Sequence, residues 1–405
     1  MPLTTTIANG QPVTYEHTQF FARPGEGSAP SNAVRVQFLG VNSIYITDGA
    51  THLMIDPFFS RMPVRVSNLI FGGLMRVPPN RQAIQNVLSQ TGIQKLDAMF
   101  FTHAHWDHAL DVAEVWRYFA ENNNGDGGTI YGDNSIRQIA IGGYQKWQAD
   151  GDTGGLPNIA DSFMPVAEDD SIPIGDFTIT ILRGSHINLP LWTDAVMAGH
   201  IEEPVVPPAR VNQYKQGEIF SILIKHSAHG SILNQGSANY VDGYYLDIFG
   251  PEGRFPFPDV LMPGIAGFNS SYLYPIGARR RYYNQVVNAT RPKRVLLTHW
   301  DEFQEDDCTL DHPLVWKHDA WESYELLAEL RNEGFAATGW EMVTPQPRQD
   351  AETSAERGTG MRSGGRYEFM RAMTPTVHFL PIGPEIVVLP ATRQNMLLQR
   401  PVAQR

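Results

Sequence analysis

LDAMFFTHAHWDH, residues 96–108, runs an apolar strand straight into a cluster of side chains that can bind a metal. LDAMFFTHAH reads as a buried strand running into a loop, and His103, His105, Asp107 and His108 lie at a strand-to-helix junction. In extended backbone alternate side chains point the same way, so His103 and His105 can grip one ion. The turn that follows redirects Asp107 and His108 toward a neighbouring position. Divalent zinc takes imidazole nitrogen and carboxylate oxygen at about 2.0–2.2 Å, and a catalytic site leaves one coordination position for water. His and Asp scattered at this chain's own frequencies would produce such a match in on the order of one chain in a thousand. The competing reading is a chance polar cluster at a helix start, with Asp107 as its N-cap.

Composition agrees with such a centre and excludes several others. Of 405 residues, 42% are apolar and 18% charged, enough for a large core and too apolar for general disorder. Lys and Arg number 31 against 43 Asp and Glu, and the net charge of −12 disfavours a sequence-independent nucleic-acid binder. Cys308 is the one cysteine, so intrachain disulfides and sites needing several thiolates are excluded. A metal must then draw on carboxylates and the 13 histidines. The opening MPLTTTIANGQPVTYEH lacks the basic and apolar regions of a signal peptide. The longest apolar stretches, such as Leu69–Met75, fall far short of the ~20 residues of a membrane span. The expectation is a soluble, cytoplasmic protein with a small-molecule substrate and no nucleic-acid partner.

Outward from the motif, strands and helices interleave. VRVQFLG from Val34 alternates apolar and polar residues, and SIYITDG and HLMIDPF follow with Asp48-Gly49 as the turn. PPNRQAIQNVLSQTG predicts a helix, with Ile84, Val87 and Leu88 on one face and Gly92 at its end. Leu110, Ala113, Trp116 and Phe119 predict another. FTITILRGSH, FSILIKHSAHGSILNQG, PDVLMPG and KRVLLTHW predict strands, and a helix is expected from Pro313 to about Glu333. This order predicts a layered α/β architecture. Residues 1–31 read as an irregular N-terminal extension, 32–348 as one domain, and 349–405 as a polar linker and C-terminal extension. TVHFLPIG and EIVVLP in that last segment regain strand character.

THAHWDH resembles the H-x-H-x-D-H signature of the metallo-β-lactamase superfamily, and the resemblance extends over roughly Asn32 to Arg348. It implies a four-layer αβ/βα sandwich with the metal centre at one edge. VNSIYITDGATHLMIDPFF is similar to the superfamily's opening strands, which end in an Asp near the site, here Asp56. RGSH is similar to the third motif and implies His186 as a ligand; LLTHW is similar to the last and implies His299. One metal would then be held by His103, His105 and His186, the other by Asp107, His108 and His299. A zinc-bound water of pKa about 7 would be the nucleophile, and Asp107 would orient it. The implied activity is metal-dependent hydrolysis of an ester, lactone or phosphodiester of a small or lipophilic substrate, as in the lactonase/phosphodiesterase-like branch. The alternative is a non-hydrolytic metal-binding sensor or partner-binding protein on the same fold.

One position departs from the pattern. Where the superfamily usually has an Asp bridging the two metals, ILNQGSANYVDG carries Ser237, and Asp242 lies five residues on. β-Lactamases with Ser here still bind two zincs, so one or two ions, zinc or another divalent transition metal, stay open. Four further features carry weaker readings. Ile187–Gln216 is either a lid, with His200 as a substrate contact, or a surface loop. Phe58–Met75 is an apolar wall or ordinary core. Asp56 is the better candidate to hold a ligand imidazole, with Asp301 and Glu302 behind it. His226 and His229 read as structural or surface residues.

Overall fold

Strand periodicity divides the apolar residues between two cores. The computed structural model describes residues 3–6, 12–15, 31–61, 75–188, 196–268, 276–301, 327, 376–379 and 385–389. One seven-stranded sheet contains β1 (Val34–Gly40), β2 (Ser43–Thr47), β3 (His52–Ile55), β4 (Ala98–Phe100), β5 (Thr129–Gly132) and β6 (Phe163–Pro165). The other contains β7 (Ser171–Ile174), β8 (Phe177–Arg183), β9 (Phe220–His226), β10 (Gly230–Gln235), β11 (Val260–Pro263), β12 (Arg294–Leu297) and β13 (Thr376–Phe379). β14 (Glu385–Leu389) returns to the first sheet beside β1.

On β1, β3 and β4 the residues Val34, Val36, Phe38, Leu53, Ile55, Ala98 and Phe100 share a cluster with Ile179, Ile181, Ile222 and Ile232 of the second sheet. Met54 and Met99, one residue out of phase, belong to a separate cluster with the helices on the outer face. Those helices are α1 (Arg81–Thr91), α2 (Trp106–Ala109), α3 (Val112–Asn122) and α4 (Asn134–Ala149). α1 is bounded as the sequence predicts: Asn80 accepts from Ala83 N at 3.1 Å, and Gly92 closes the helix at φ 71°. Tyr245, Ile248, Tyr283, Val286 and Val287, from helical segments after β10 and β11, pack with the second sheet. Helix, sheet, sheet and helix make the four-layer sandwich.

Strand direction then places the site. β3, β4 and β5 run parallel, as do β10, β11 and β12. β8 is antiparallel to β9 and β9 to β10, so β8 runs with β10. The residues just past β3, β4, β8, β10 and β12 therefore gather at one edge, and they are Asp56, His103, His186, Ser237 and His299.

Two expectations change. β13 and β14 lie past residue 348, yet they pair with β12 and β1 in the two sheets. Within 1–31, Leu3–Thr6 and Pro12–Tyr15 form an antiparallel pair instead of irregular chain, in keeping with their Thr and Val content. Cys308, Glu302, most of the helix expected over 313–333 and the linker over 345–366 lie outside the described residues. Among those described, no helix is long and apolar enough to cross a membrane.

Candidate metal centre

Six side chains arrive at the sandwich edge in two adjoining groups. His103, His105 and His186 form one; Asp107, His108 and His299 form the other. Within each, the atoms that can ligate lie within 4.8 Å of one another. The His103 and His108 rings adjoin, with centroids 4.0 Å apart. Asp107 Oδ2 lies 3.8 Å from His108 Nε2 and 3.6 Å from His299 Nε2.

Hydrogen bonds on the far side of the rings set which nitrogen faces the cluster. His108 Nδ1 donates to Asp56 Oδ2 at 2.9 Å, and His186 Nδ1 donates to the Ile187 carbonyl at 2.8 Å. The Thr102 hydroxyl donates to Asp56, so its oxygen is left to accept from His103 Nδ1, 3.1 Å away. His105 is anchored by a backbone hydrogen bond to Met197. A proton held on Nδ1 leaves Nε2 as a lone pair, the form a metal requires. Nε2 of both His103 and His105 is buried without a hydrogen-bond partner. Such orphaned buried atoms are uncommon and costly unless something takes them up, and a cation fits both lone pairs. Imidazole with one carboxylate is a donor set for a divalent transition metal.

Electrostatics point the same way. Burial, reinforced by the His108, His105 and His186 rings, holds His103 well below the usual histidine range. Burial and the His105 ring do the same to His186, and burial brings His105 down to about 4. These three are neutral at pH 7, as ligands must be. Burial alone would raise Asp107, but His108 and His299 outweigh it and hold the carboxyl below its ordinary range. For His108 burial is overridden by the Asp107 and Asp56 carboxylates, which raise it.

A third group, Asp48, Asp176 and His226, has similar spacing but the wrong tautomer. His226 Nδ1 accepts from Ala228 N at 3.2 Å, so a neutral ring carries its proton on Nε2, which faces Asp48 Oδ2 at 3.4 Å. No lone pair is left for a cation. His229 stacks on His226 with centroids 4.7 Å apart, so the pair acts as packing at this end of β9.

Residues 36–122 match the model of the metallo-beta-lactamase superfamily. The matched stretch carries the H-x-H-x-D-H motif and with it His103, His105, Asp107 and His108. Igni18, a metallo hydrolase from the hyperthermophilic archaeon Ignicoccus hospitalis, is a structural relative at 13% identity and TM-score 0.40, covering 75% of this chain and 91% of that one. CmlA, a diiron β-hydroxylase from Streptomyces venezuelae, is 15% identical at TM-score 0.43, covering 76% and 52%. An isothiocyanate hydrolase from Delia radicum gut bacteria is 14% identical at TM-score 0.40, covering 74% and 93%. Likeness at this level carries no information about chemistry. No curated protein matches the chain.

The ligand-bearing segments are tied together by Asp56, which is fully buried at φ 41°. Besides His108 and the Thr102 hydroxyl it accepts from Thr102 N at 2.7 Å and from Asn42 Nδ2 at 2.7 Å. Asn42 in turn accepts from the Thr298 hydroxyl at 3.2 Å and exchanges hydrogen bonds with Asn234. The Thr-His phrase that occurs before both His103 and His299 thus has a physical basis: each threonine hydroxyl reports to the Asp56–Asn42 pair. Asn42, Thr102 and Met197 were not singled out from the sequence. For the threonines the repeated phrase was the available signal; for Asn42 and Met197 there was none.

Asp301 needs correction. It ranks behind Asp56 as a candidate acceptor for a ligand imidazole, and its carboxylate instead takes Val41 N at 2.8 and 3.0 Å and pairs with Arg61. The reason is local backbone: Val41 sits at φ 55°, beside a register shift in the β1–β2 pair, and its N–H needs an acceptor. Val41 O accepts from His299 N at 2.6 Å, so Asp301 steadies the backbone under a ligand. Of the segment 187–216, expected as a lid or a surface loop, residues 189–195 lie outside the described residues and 196–216 are packed. Met197, Ile201, Val205, Val211 and Tyr214 are buried, and Ala209–Arg210 pairs with Arg76–Val77. His200 is half exposed, its ring nitrogens 3.9 Å from Asp133 and 3.9 Å from Glu218. Phe58 and Phe59 belong to the helix-side core, Phe58 meeting Trp106 edge-on at 5.5 Å; residues 62–74 lie outside the described residues.

Asp111, at the start of α3, clamps the loop after Asp56. Its Oδ2 accepts from Phe59 N at 2.6 Å and Ser60 N at 2.7 Å, while Oδ1 is buried without a partner. Burial pushes its carboxyl up to about 6. A carboxyl raised on folding contributes stability that is present below its unfolded value and lost as pH rises through about 6. The stability of the wild type relative to Asp111→Asn is therefore expected to fall by about 1 kcal/mol between pH 5 and pH 7. Urea denaturation at the two pH values measures this, and a difference that stays constant would contradict it.

Proposed function

We propose that this chain is a metal-dependent hydrolase of the metallo-β-lactamase superfamily, holding one or two zinc ions and cleaving an ester, lactone or phosphodiester of a small or lipophilic substrate. The observation that carries the reading is the pair of adjoining ligand sets, in the first of which the buried Nε2 atoms of His103 and His105 have no hydrogen-bond partner. His103, His105 and His186 would hold one ion, and Asp107, His108 and His299 the other. A bound zinc supplies Lewis acidity and an activated water near neutral pH. Asp107, kept ionised by its histidine neighbours, is the group placed to accept a proton or orient the attacking water. His200, half exposed beside Asp133 and Glu218, would contact the substrate. The net charge of −12 argues for a small molecule over a nucleic acid as substrate.

Metal analysis of the purified full chain, coupled to a panel of chromogenic esters, lactones and phosphodiesters, tests the proposal. Stoichiometric zinc is expected, with turnover on at least one class that chelation abolishes and zinc restores. Stoichiometric metal with no turnover on any class would point to the non-hydrolytic sensor instead. A chain that takes up no transition metal would sink both.

A further inference from the structure

We infer that Ser237 is a positioning residue for the three-histidine group and not a ligand or bridge between the two metals. The inference rests on the metal-centre reading above. Ser237 follows β10 and lies near the cluster, but its hydroxyl is already engaged: Oγ accepts from the Ile187 amide at 3.0 Å. The same two residues are held from two other directions. The Ile187 carbonyl accepts His186 Nδ1 at 2.8 Å, and the His186 carbonyl accepts from Asn239 Nδ2. Asn239 is fixed by its own turn, with its N–H on Ser237 O at 2.9 Å and its carbonyl taken by Gln235 Nε2. The segment from Gln235 to Asn239 is thus a clamp on the backbone of residues 186 and 187, which carries the Ile187 carbonyl that fixes the tautomer of His186.

Close packing makes the clamp stiff. A Cβ on Gly236 would fall 2.3 Å from Thr102 Oγ1, and one on Gly264 would fall 2.8 Å from Gly236 O and 3.3 Å from His299 Cβ. The turn that carries Ser237 therefore sits against the backbone of the other ligand-bearing loops with no room to swing. A hydroxyl that accepts from Ile187 N steadies one ligand of the three-histidine group. Consequently the two metal positions share no protein bridge from residue 237, and Ser237 couples to the His103–His105–His186 group alone.

Two measurements separate this from a ligand role. In metal-free protein, hydrogen exchange at the Ile187 amide is expected to speed up at least tenfold in Ser237→Ala and to recover in Ser237→Thr, which restores the hydroxyl. Cobalt(II) titration is then run in two backgrounds. With His299→Ala, where only the three-histidine group is complete, adding Ser237→Ala is expected to weaken cobalt about tenfold or more, the usual scale for losing a group that orients a ligand. With His186→Ala, where only the Asp107–His108–His299 group is complete, the same change is expected to leave affinity within about twofold. Equal weakening in both backgrounds, or weakening confined to the second, would overturn the inference, as would unchanged exchange at Ile187. Failure of the unmutated chain to bind cobalt at all would refute the metal centre, and the exchange measurement would still decide the clamp.

Discussion

His105→Ala is expected to empty the three-histidine position and to lower turnover about a thousandfold or more, the several kcal/mol that a catalytic cation supplies. His105 is buried in the wall of the site, anchored to Met197 on one side, with Nε2 turned into the cluster and unpartnered. Among the described residues no further histidine, cysteine or carboxylate joins this group. His103 and His186 already belong to the group, and Ser237 is committed to Ile187. Two imidazoles leave a divalent ion with open positions that only water can fill, which weakens retention as well as chemistry. The fold should survive, because the ring is held through one hydrogen bond and makes room for solvent when removed. The measurement is metal content after dialysis beside kcat/KM on whichever substrate class the wild type turns over. Full metal content with wild-type turnover would sink the assignment of this group.

What the sequence made legible follows from distance along the chain. The periodicity of VRVQFLG and LDAMFF placed the strands, and Thr102 to His108 placed four candidate ligands, because both signals are local. His186 and His299 needed the likeness to a known pattern, since nothing in RGSH or LLTHW alone says that these strand ends converge. The contacts that went unread are the ones that join distant segments. Asp301 serves Val41 across 260 positions, Asn42 meets Asn234 across 192, and Met197 closes over His105 from a segment without periodicity. β13 and β14 were recognised as strand-like but not as sheet edges, because pairing partners cannot be read from a short apolar run. Ser237 was visible as a departure, and only the neighbouring Ile187 amide shows what the hydroxyl does there.

Asp56→Ala is expected to cost about 3–5 kcal/mol of stability and to weaken metal at both positions together. The carboxylate is fully buried and accepts four hydrogen bonds: from Asn42 Nδ2, from the N–H and the hydroxyl of Thr102, and from His108 Nδ1. Removing it strands buried donors that no water-exposed route can satisfy, which is where the large energetic effect originates. The metal effect has a separate cause. Without Asp56, His108 has no reason to keep its proton on Nδ1, and the competing tautomer presents N–H to the site instead of a lone pair. Thr102 also loses its acceptor, so its oxygen is no longer fixed as the acceptor for His103. One substitution therefore disturbs a ligand of each group, directly in one case and through a hydroxyl in the other, and a loss of about 10- to 100-fold in affinity is expected at each. Asp56→Asn keeps the shape and one acceptor oxygen, so its stability cost should be the smaller of the two. Denaturant midpoints of the metal-free variants isolate the first effect, and cobalt(II) titration of variants that remain folded isolates the second. Affinity lost at only one position would break the link from Asp56 through Thr102 to His103, since that link is what distinguishes Asp56 from Ser237, whose influence stops at a single group.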